Sequence, residues 1–298
     1  MRRHLLPFLA LTLLVIGVSL VLYPTAASWV SQYRQSLITS ELVEVGEQAV
    51  PEAKIQLEQA YKYNAALQSG AQLEANERKA TGSEKLDVTS RFTDIWPYEK
   101  QLFPDGRGVM ARLRVPAADI DIPVYHGTDD HTLLRGAGHL RGTSLPVGGV
   151  GTRTVITAHR GLAAAKMFTD LDRVDIGDRF TFEVFGEVLT YEVRSTQVIE
   201  PEDTETLNPD PHADLATLIT CTPLGINSHR IVVTGERVTP TPVKDVLSAG
   251  AKSELPRFPW WLVIWASVLV LYVGYLLHVM WTELRPHRQH RRPAHIAK

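Results

Sequence analysis

Two long apolar runs near the ends of the chain frame a middle region in which apolar and polar residues alternate. The first run extends from Leu5 to Tyr23 and the second from Phe258 to Trp281. Each has the ~20 mostly apolar residues that a helix needs to cross the hydrocarbon core of a bilayer. The pattern therefore predicts two transmembrane helices, at residues 5–23 and 258–281.

Each run also has an alternative interpretation. A basic start and an apolar run, followed by the small residues Ala26 and Ala27, are typical of a cleaved signal peptide as well. The alternative for the second run is a core helix, but Trp260, Trp261 and Trp281 stand at its two rims, where the interfacial aromatic residues of a span belong. We interpret the second run as a span, and retention or cleavage of the first stays open.

The basic residues that flank the two runs predict the orientation of the chain. Arg2 and Arg3 precede the first run. The tail after the second run contains further basic residues: Arg285, Arg288, Arg291, Arg292 and Lys298. Because short flanks rich in Lys and Arg remain on the cytoplasmic side, residues 1–4 and 282–298 are both expected in the cytoplasm. Residues 24–257 are then expected outside the cell membrane.

The region outside the membrane begins with helical periodicity and then loses it. Residues 24–68 hold apolar positions among polar ones at helical spacing, which predicts an amphipathic helical arm. Residues 69–98 are polar and aperiodic, which is typical of a loop that serves either as a functional lid or as a plain tether. A second polar stretch, 239–257, predicts a tether that leads to the second span.

Between these stretches, residues 99–238 change to a period of two. Short β-branched runs are separated by Gly, Pro, Asp or Asn, with little long helical patterning between them. The runs are VMARLRV, IDIPVY, TVITA, RFTFEVF, EVLTYEVRS, LATLITC and HRIVVTGERV. Several short strands within ~130 residues predict an antiparallel β-barrel or sandwich.

Composition narrows the classes of function. The chain is 44% hydrophobic and 21% charged with a net charge of −2, so its overall electrostatics give no reason to expect a nucleic-acid partner. It contains one cysteine, Cys221, and therefore no internal disulfide, although the expected compartment would permit one. The domain outside the membrane must then be stabilised by a packed core.

Cys221 stands at the end of an apolar alternating run, in the sequence TLITC. A cysteine nucleophile needs a basic or cationic partner, and an acyl-transfer site also needs a donor for the developing oxyanion. The candidates in the β region include these histidines and arginines: His126, His131, His139, His159, His212, His229, Arg153, Arg160 and Arg230.

Position along the chain separates some of these candidates. His159 follows the strand-like run TVITA, where a strand gives way to a loop and a side chain is exposed on a rigid support. His126 and His139 stand in glycine-flanked loops, which favours hydrogen bonds within turns. No spacing reveals a zinc ligand set, and we predict no metal.

His229 and Arg230 are neighbours in a predicted strand, and neighbours in a strand point to opposite faces. Only one of them can therefore share a site with Cys221. If the strands are symmetric about the loop 222–228, Cys221 falls opposite His229, whereas a bulge in that loop would reverse this. The residues alone leave the register open.

Here the sequence resembles a known family. TAHRGL, TLITC and SHRIVVTGER are similar to the histidine, cysteine and arginine segments of sortases, in the same order. IPVYHGT, GAGHLRGTSLPVGG and FTDL resemble class C sortases, the branch that polymerises pilins. The similarity is dense over residues 98–238. It implies a mainly β fold, a closed eight-stranded sortase-type β-barrel, with an N-terminal helical arm and two transmembrane helices.

Carried over residue by residue, the resemblance implies a role for each of three residues. Cys221 would be the nucleophile, His159 the general acid and base, and Arg230 the residue that binds substrate and stabilises the oxyanion. The resemblance thus favours Arg230 over His229. It implies neither a cofactor nor a metal.

The implied activity is transpeptidation through a thioester. The thiolate attacks the threonine carbonyl of an LPxTG-like sorting signal, the glycine amine leaves, and a second amine resolves the thioester. The implied partners are LPxTG-bearing surface or pilin proteins, an acceptor amine from a pilin lysine or a cell-wall precursor, and membrane lipid through the two spans of a Gram-positive-type envelope. Three alternatives stay open: anchoring of proteins to the wall, a membrane-tethered cysteine hydrolase, and a non-enzymatic envelope scaffold with an inert cysteine.

One feature of class C sortases is only partly present. Many of them carry a lid with Asp-Pro-Phe or Asp-Pro-Trp, whereas this chain has TDIWPY, with Ile95 in the proline position. The resemblance makes Asp94 and Trp96 the candidate lid residues, an acid to meet Arg230 or His159 and an aromatic ring to cover the thiol.

Overall fold

The structure is a computed structural model, and its elements agree with the predicted fold class. It describes residues 2–48, 50–68, 97–103 and 108–284. The chain divides into two compact units, one formed by the chain ends up to Ala26 and from Phe258, and the other by Ala27–Arg257.

Five α-helices lie within the described residues. They are α1 (Arg2–Gln48), α2 (Val50–Gln68), α3 (Asp130–Arg135), α4 (Val243–Leu247) and α5 (Trp260–Leu284). Two helical stretches are long and apolar enough to cross a membrane, Leu6–Leu42 in α1 and Trp260–Thr282 in α5. Within the unit of chain ends, the hydroxyls of Thr12 and Tyr272 are 3.0 Å apart, so α1 and α5 share a hydrogen bond there.

The larger unit contains a closed β-barrel. Its strands are β1 (Val109–Val115), β2 (Ile120–His126), β3 (Ala137–His139), β4 (Arg153–Thr157), β5 (Arg179–Val184), β6 (Glu187–Ile199), β7 (Leu215–Thr222) and β8 (His229–Arg237). They are hydrogen-bonded in the order β1-β2-β3-β4-β7-β8-β6-β5, and β5 pairs with β1 to close the barrel. The eight-stranded barrel is confirmed.

Two of the strand pairs differ from the antiparallel arrangement that the periodicity predicts. β2 pairs with β3 and β4 pairs with β7 in parallel. A parallel pair needs a crossover rather than a tight turn, and here α3 connects β2 to β3 while the β5–β6 hairpin lies between β4 and β7 in the chain. A period of two predicts a strand but not its neighbour or its direction, which is why the sequence missed these two pairs.

Alternation along β7 and β8 separates the interior of the barrel from its outer face. Ala216 and Leu218 belong to the main core, together with Ile231 and Val233 of β8. The next residue of β7, Ile219, belongs to a separate small cluster. Because side chains alternate between the faces of a strand, the odd-numbered positions of β7 face outward.

Helix α2 packs on the barrel through the buried ring of Tyr63 and through two hydrogen bonds of the Asn64 side chain. Tyr63 is buried in the main core. The side chain of Asn64 donates to the carbonyl of Leu145 at 3.1 Å and accepts from its backbone N–H at 2.7 Å. These bonds satisfy both backbone groups of a buried loop residue and fix the helix against that loop.

A buried arginine joins three neighbouring strands. Arg112 on β1 is fully buried, and Nε and Nη2 each donate to one carboxylate oxygen of Asp121 on β2, both at 2.8 Å. Its Nη1 is 3.6 Å from a carboxylate oxygen of Glu183 on β5 and donates to the carbonyl of Ala251. The bidentate geometry and the filled hydrogen-bonding positions offset the cost of removing these charges from water.

Candidate active site

The parallel pair of β4 and β7 brings His159 and Cys221 to the same end of the sheet. In this ladder Thr157 lies opposite Ile219. Beyond the last pair, the N–H of Ala158 donates to the carbonyl of Ile219 at 3.2 Å, so the two strands stay together past the end of β4. His159 and Cys221 are each two residues beyond that last pair.

The antiparallel pair of β7 and β8 sets Arg230 on the other side of Cys221. Cys221 lies opposite Arg230, and Thr222 lies opposite His229. Residues that face each other in a ladder point to the same side of the sheet. Arg230 therefore shares the face of Cys221, whereas His229 points to the other face.

The symmetric hairpin considered above, with Cys221 opposite His229, is therefore wrong by one residue. β7 extends to Thr222, and the connecting turn is shorter than that hairpin requires. In the turn, the N–H of Asn227 donates to the carbonyl of Pro223 at 2.9 Å, and Asn227 has a φ of 59°. Asparagine tolerates this left-handed conformation better than most residues, which lets the chain reverse tightly.

Cys221, His159 and Arg230 lie on the outer wall of the barrel, and each is half-buried. Below Cys221 the same face carries a buried apolar cluster of Val155, Ile219 and Val232. Three partly buried side chains cover this cluster and form an apolar patch: Leu140, Ile199 and Leu207. A half-buried thiol, imidazole and guanidinium thus stand at the end of the sheet beside this apolar patch.

The guanidinium of Arg230 is oriented by the turn that precedes it. Its Nη1 donates to the carbonyl of Asn227 at 2.9 Å and to the carbonyl of His229 at 3.0 Å. Both bonds use the same nitrogen. The neighbouring His229 is exposed, and its Nδ1 is hydrogen-bonded to the hydroxyl of Ser228 at 2.8 Å.

The sequence and the fold also match known proteins. The family model described as "Sortase domain" matches residues 113–238. The solved structure of sortase A from Corynebacterium diphtheriae is 42% identical, with a TM-score of 0.55, and the match covers 70% of this chain and 93% of that chain. The chain belongs to the sortase family.

Other relatives extend the similarity to further sortases. The crystal structure of sortase C-1 from Actinomyces oris is 41% identical with a TM-score of 0.53, and the match covers 63% of this chain and 98% of that chain. Sortase D from Bacillus subtilis is 24% identical over 159 residues, which are 52% of this chain and 77% of that protein. The resemblance that the sequence motifs indicated, including similarity to class C sortases, is thus confirmed.

The two glycine-flanked histidines of this sortase end strands β2 and β3 rather than lying in loops, so the prediction of hydrogen bonds within turns is wrong for His126, whose partners are distant in the chain. His126 has Nε2 at 2.7 Å from the carbonyl of Gln101 and Nδ1 at 3.2 Å from that of Gly108. His139 is fully buried, with Nε2 at 2.9 Å from the carbonyl of Ser144. Burial lowers the pKa of His139 to about 4 and also lowers the pKa of His126.

His139 also holds Tyr98, the last residue of the candidate lid stretch 69–98. Its Nδ1 is 2.8 Å from the hydroxyl of Tyr98, and the same hydroxyl accepts a hydrogen bond from the N–H of Gly127. Asp94 and Trp96, the candidate lid residues themselves, lie outside the described residues. Their role in this sortase stays a prediction. Among the residues that the structure describes, no group of three or more His, Cys, Asp or Glu side chains is arranged to hold a metal ion.

Sequence reasoning assigned no role to Arg160, which follows His159 directly. Its Nη1 donates to the hydroxyl of Thr222 at 2.9 Å, and its Nη2 donates to a carboxylate oxygen of Asp172 at 2.6 Å. The sequence did place this arginine in the segment TAHRGL, directly after the candidate histidine. A charged residue in a loop ordinarily indicates a solvated surface, so only the fold reveals its partners.

Proposed function

We propose that this sortase is a membrane-anchored cysteine transpeptidase that cleaves an LPxTG-like sorting signal between threonine and glycine and transfers the acyl group to an amine. One observation supports the proposal most strongly. Cys221 lies opposite Arg230 on the outer face of the barrel, and His159 follows the parallel neighbour of β7 at the same end of the sheet. A nucleophile, a proton carrier and a charged donor are the parts that acyl transfer needs.

In the first half of the reaction, the thiolate of Cys221 forms a bond to the threonine carbonyl carbon. The carbonyl oxygen gains negative charge, and the guanidinium of Arg230 stabilises it with a charge-assisted hydrogen bond. The protonated imidazole of His159 then gives its proton to the glycine nitrogen as the carbon–nitrogen bond breaks. The products are a thioester on Cys221 and a free amine.

In the second half, an incoming amine attacks the thioester carbonyl. His159, now neutral, accepts a proton from this amine, and Arg230 again stabilises the oxyanion. The carbon–sulfur bond breaks, the sulfur leaves as a thiolate, and an amide bond joins donor to acceptor. The enzyme returns to the thiolate and the protonated imidazole with which it began.

The apolar patch beside Cys221 suits an extended peptide. Leu140, Ile199 and Leu207 cover the buried cluster of Val155, Ile219 and Val232 and are themselves only partly buried. An extended chain presents every second side chain to the surface on which it lies. We infer that the apolar residue of the sorting signal packs on this patch, while its threonine carbonyl reaches Cys221.

We further propose that the acceptor is a lysine of a pilin subunit and that the enzyme assembles pili. Similarity to the Actinomyces oris enzyme, a class C sortase, and the class C-like segments in the sequence support this choice over anchoring to the wall. The two apolar helices and their basic flanks support a catalytic domain outside the membrane with both termini in the cytoplasm.

The full-length protein in detergent, incubated with an LPxTG peptide and one of three acceptors, tests this function. The acceptors are a peptide with a free lysine side chain, an amine that mimics a wall precursor, and water alone. We expect mass spectrometry to detect an isopeptide-linked product with the lysine peptide. Release of the cleaved peptide with water in all three reactions would identify a hydrolase, and preference for the wall amine would identify an anchoring sortase.

A further inference from the structure

Arg160 is a buried cation that makes contacts on three sides. Its side chain is 8% exposed, although arginine is rarely buried without partners. Nη1 donates to the hydroxyl of Thr222 at 2.9 Å, Nε donates to the carbonyl of Thr169 at 3.1 Å, and Nη2 donates to Asp172 at 2.6 Å. The guanidinium therefore holds Thr222, Thr169 and Asp172 at the same time.

These three groups belong to different parts of the candidate active site. Thr222 is the last residue of β7 and follows Cys221 directly. Thr169 lies at the far end of the loop that begins at His159. Asp172 lies in the short helical turn Leu171–Arg173 that follows. One side chain thus joins the segment that holds the histidine to the strand that holds the cysteine.

The loop after His159 is closed by further bonds. The N–H of Phe168 donates to the carbonyl of His159 at 3.0 Å, and the N–H of Gly161 donates to the hydroxyl of Thr169 at 3.1 Å. Gly161 has a φ of 74°, and a Cβ at this position would lie 2.5 Å from Cδ2 of Leu224 in the turn after β7. The loop therefore lies directly against that turn.

The position of Arg160 behind the site explains what these contacts do. The last backbone bond of the β4–β7 pair reaches only Ala158, so His159 and Cys221 lie beyond the regular ladder. Arg160 and Thr222 are each one residue further along, and Thr222 pairs with His229 on the face opposite Cys221. The bond from Arg160 to the hydroxyl of Thr222 therefore joins the two chain segments on that opposite face.

We propose that Arg160 is a positioning residue that sets the imidazole of His159 against the thiol of Cys221 through its hydrogen bond to Thr222. The inference rests on the proposed transpeptidase function. A misplacement of about 1 Å between reacting groups costs on the order of 10²-fold in rate. Loss of the hydrogen bond between Arg160 and Thr222 is therefore expected to lower kcat while KM for the sorting peptide stays nearly constant.

Thr222 gives the sharper test, because valine has nearly the same shape as threonine and lacks the hydroxyl. In full-length enzyme we expect Thr222→Val to lower kcat by about 10- to 100-fold, the size that misalignment predicts. Thr222→Ser keeps the acceptor and should recover most of the lost activity. Arg160→Met removes the donor and should resemble Thr222→Val. Arg173→Met removes an exposed arginine from the same turn and serves as the matched control.

Rates are expressed per reactive thiol, titrated with a thiol reagent, and melting temperatures are recorded for each variant, so that loss of folded enzyme is not mistaken for loss of alignment. Even if Arg160→Met does not fold, the Thr222 pair decides the question. Equal kcat in wild type and Thr222→Val contradicts the positioning role of Arg160, and so does an equal loss of kcat in Thr222→Ser and Thr222→Val. Neither outcome contradicts the proposed transpeptidase function. A wild-type enzyme that forms no thioester with the sorting peptide contradicts the proposed function, and this role with it.

Discussion

Cys221 occupies the middle strand of three, and this position gives it chemically different neighbours on its two sides. The parallel strand β4 leads to His159, and the antiparallel strand β8 provides Arg230. A one-residue change in either register would turn a partner to the opposite face of the sheet. At the scale of single residues, the candidate site is therefore a product of strand register.

Alanine substitutions at His159, Arg230 and His229 test this register directly. We expect His159→Ala and Arg230→Ala each to lower kcat/KM by at least ~10²-fold, the size typical of losing a general acid and base or an oxyanion donor. His229→Ala is the matched control, since His229 is exposed and paired with Thr222 rather than Cys221. Steady-state kinetics with the sorting peptide measures all three. Greater damage from His229→Ala than from Arg230→Ala would overturn the assignment.

The sequence predicted part of the candidate site. Cys221 and the motifs around it pointed to His159 and Arg230 before any fold was known. The choice between His229 and Arg230 needed either the family resemblance or the observed ladder, because hydrophobic alternation is compatible with both registers. Arg160 was only one of several candidate cations in the sequence, and its bond to Thr222, 62 residues away, could not be predicted from it.

A buried histidine of the barrel also contributes to the pH dependence of stability. Burial lowers the pKa of His139 to about 4 from an ordinary value of 6.5. Between these values the unfolded chain binds a proton that the folded protein does not, so the free energy of unfolding must fall as the pH falls from 6.5 to about 4. The loss from this histidine is roughly 3 kcal/mol, and it stops growing below the lower pKa.

This pH dependence can be measured by denaturant unfolding of the full-length protein in detergent across that range. His139→Gln removes the titrating group and should flatten the profile relative to wild type, whatever its effect on stability at neutral pH. Parallel profiles for the two proteins would mean that His139 is protonated equally in both states.

At the scale of elements, the seam of β1, β2 and β5 depends on one buried ion cluster. Arg112 is fully buried against Asp121, with Glu183 and the carbonyl of Ala251 close by. Replacing one partner of a buried pair leaves the other charge uncompensated, which costs about 3–5 kcal/mol. These three strands close the barrel on the side away from β7.

We therefore expect Arg112→Met to lower the free energy of unfolding by about 3–5 kcal/mol. Arg179→Met is the control, because the pair of Arg179 with Glu192 is about half-exposed and should contribute less than about 1 kcal/mol. Chemical denaturation followed by circular dichroism measures both variants. A similar loss in the two would mean that burial of the Arg112 cluster does not determine its contribution.

The elements themselves were largely predictable, whereas their arrangement was less so. Apolar runs of sufficient length and strands of period two were read directly from the sequence. The parallel pairs β2–β3 and β4–β7 were not, because they depend on crossovers whose partners lie far apart in the chain. The second of these pairs brings His159 and Cys221 to the same end of the sheet, and periodicity did not predict it.

At the scale of the whole molecule, the chain combines a catalytic barrel with apolar helices near both ends. The basic flanks predict that both termini lie in the cytoplasm and that residues 24–257 lie outside. Protease added to intact protoplasts should then remove the barrel and spare a C-terminal tag. Immunoblotting for the tag measures this outcome, and lysed protoplasts provide the control. Loss of the tag from intact protoplasts would reverse the orientation of the second span.

The central claim is that Cys221 forms a thioester with the threonine of a sorting signal. Intact-protein mass spectrometry of the full-length enzyme, quenched with acid during reaction with an LPxTG peptide, tests it directly. We expect wild type to gain the mass of the peptide up to threonine, and hydroxylamine to remove it. Cys221→Ala should gain nothing while keeping its melting temperature, since a half-buried sulfur leaves little cavity. The same added mass on Cys221→Ala, or none on the wild type, would contradict the account.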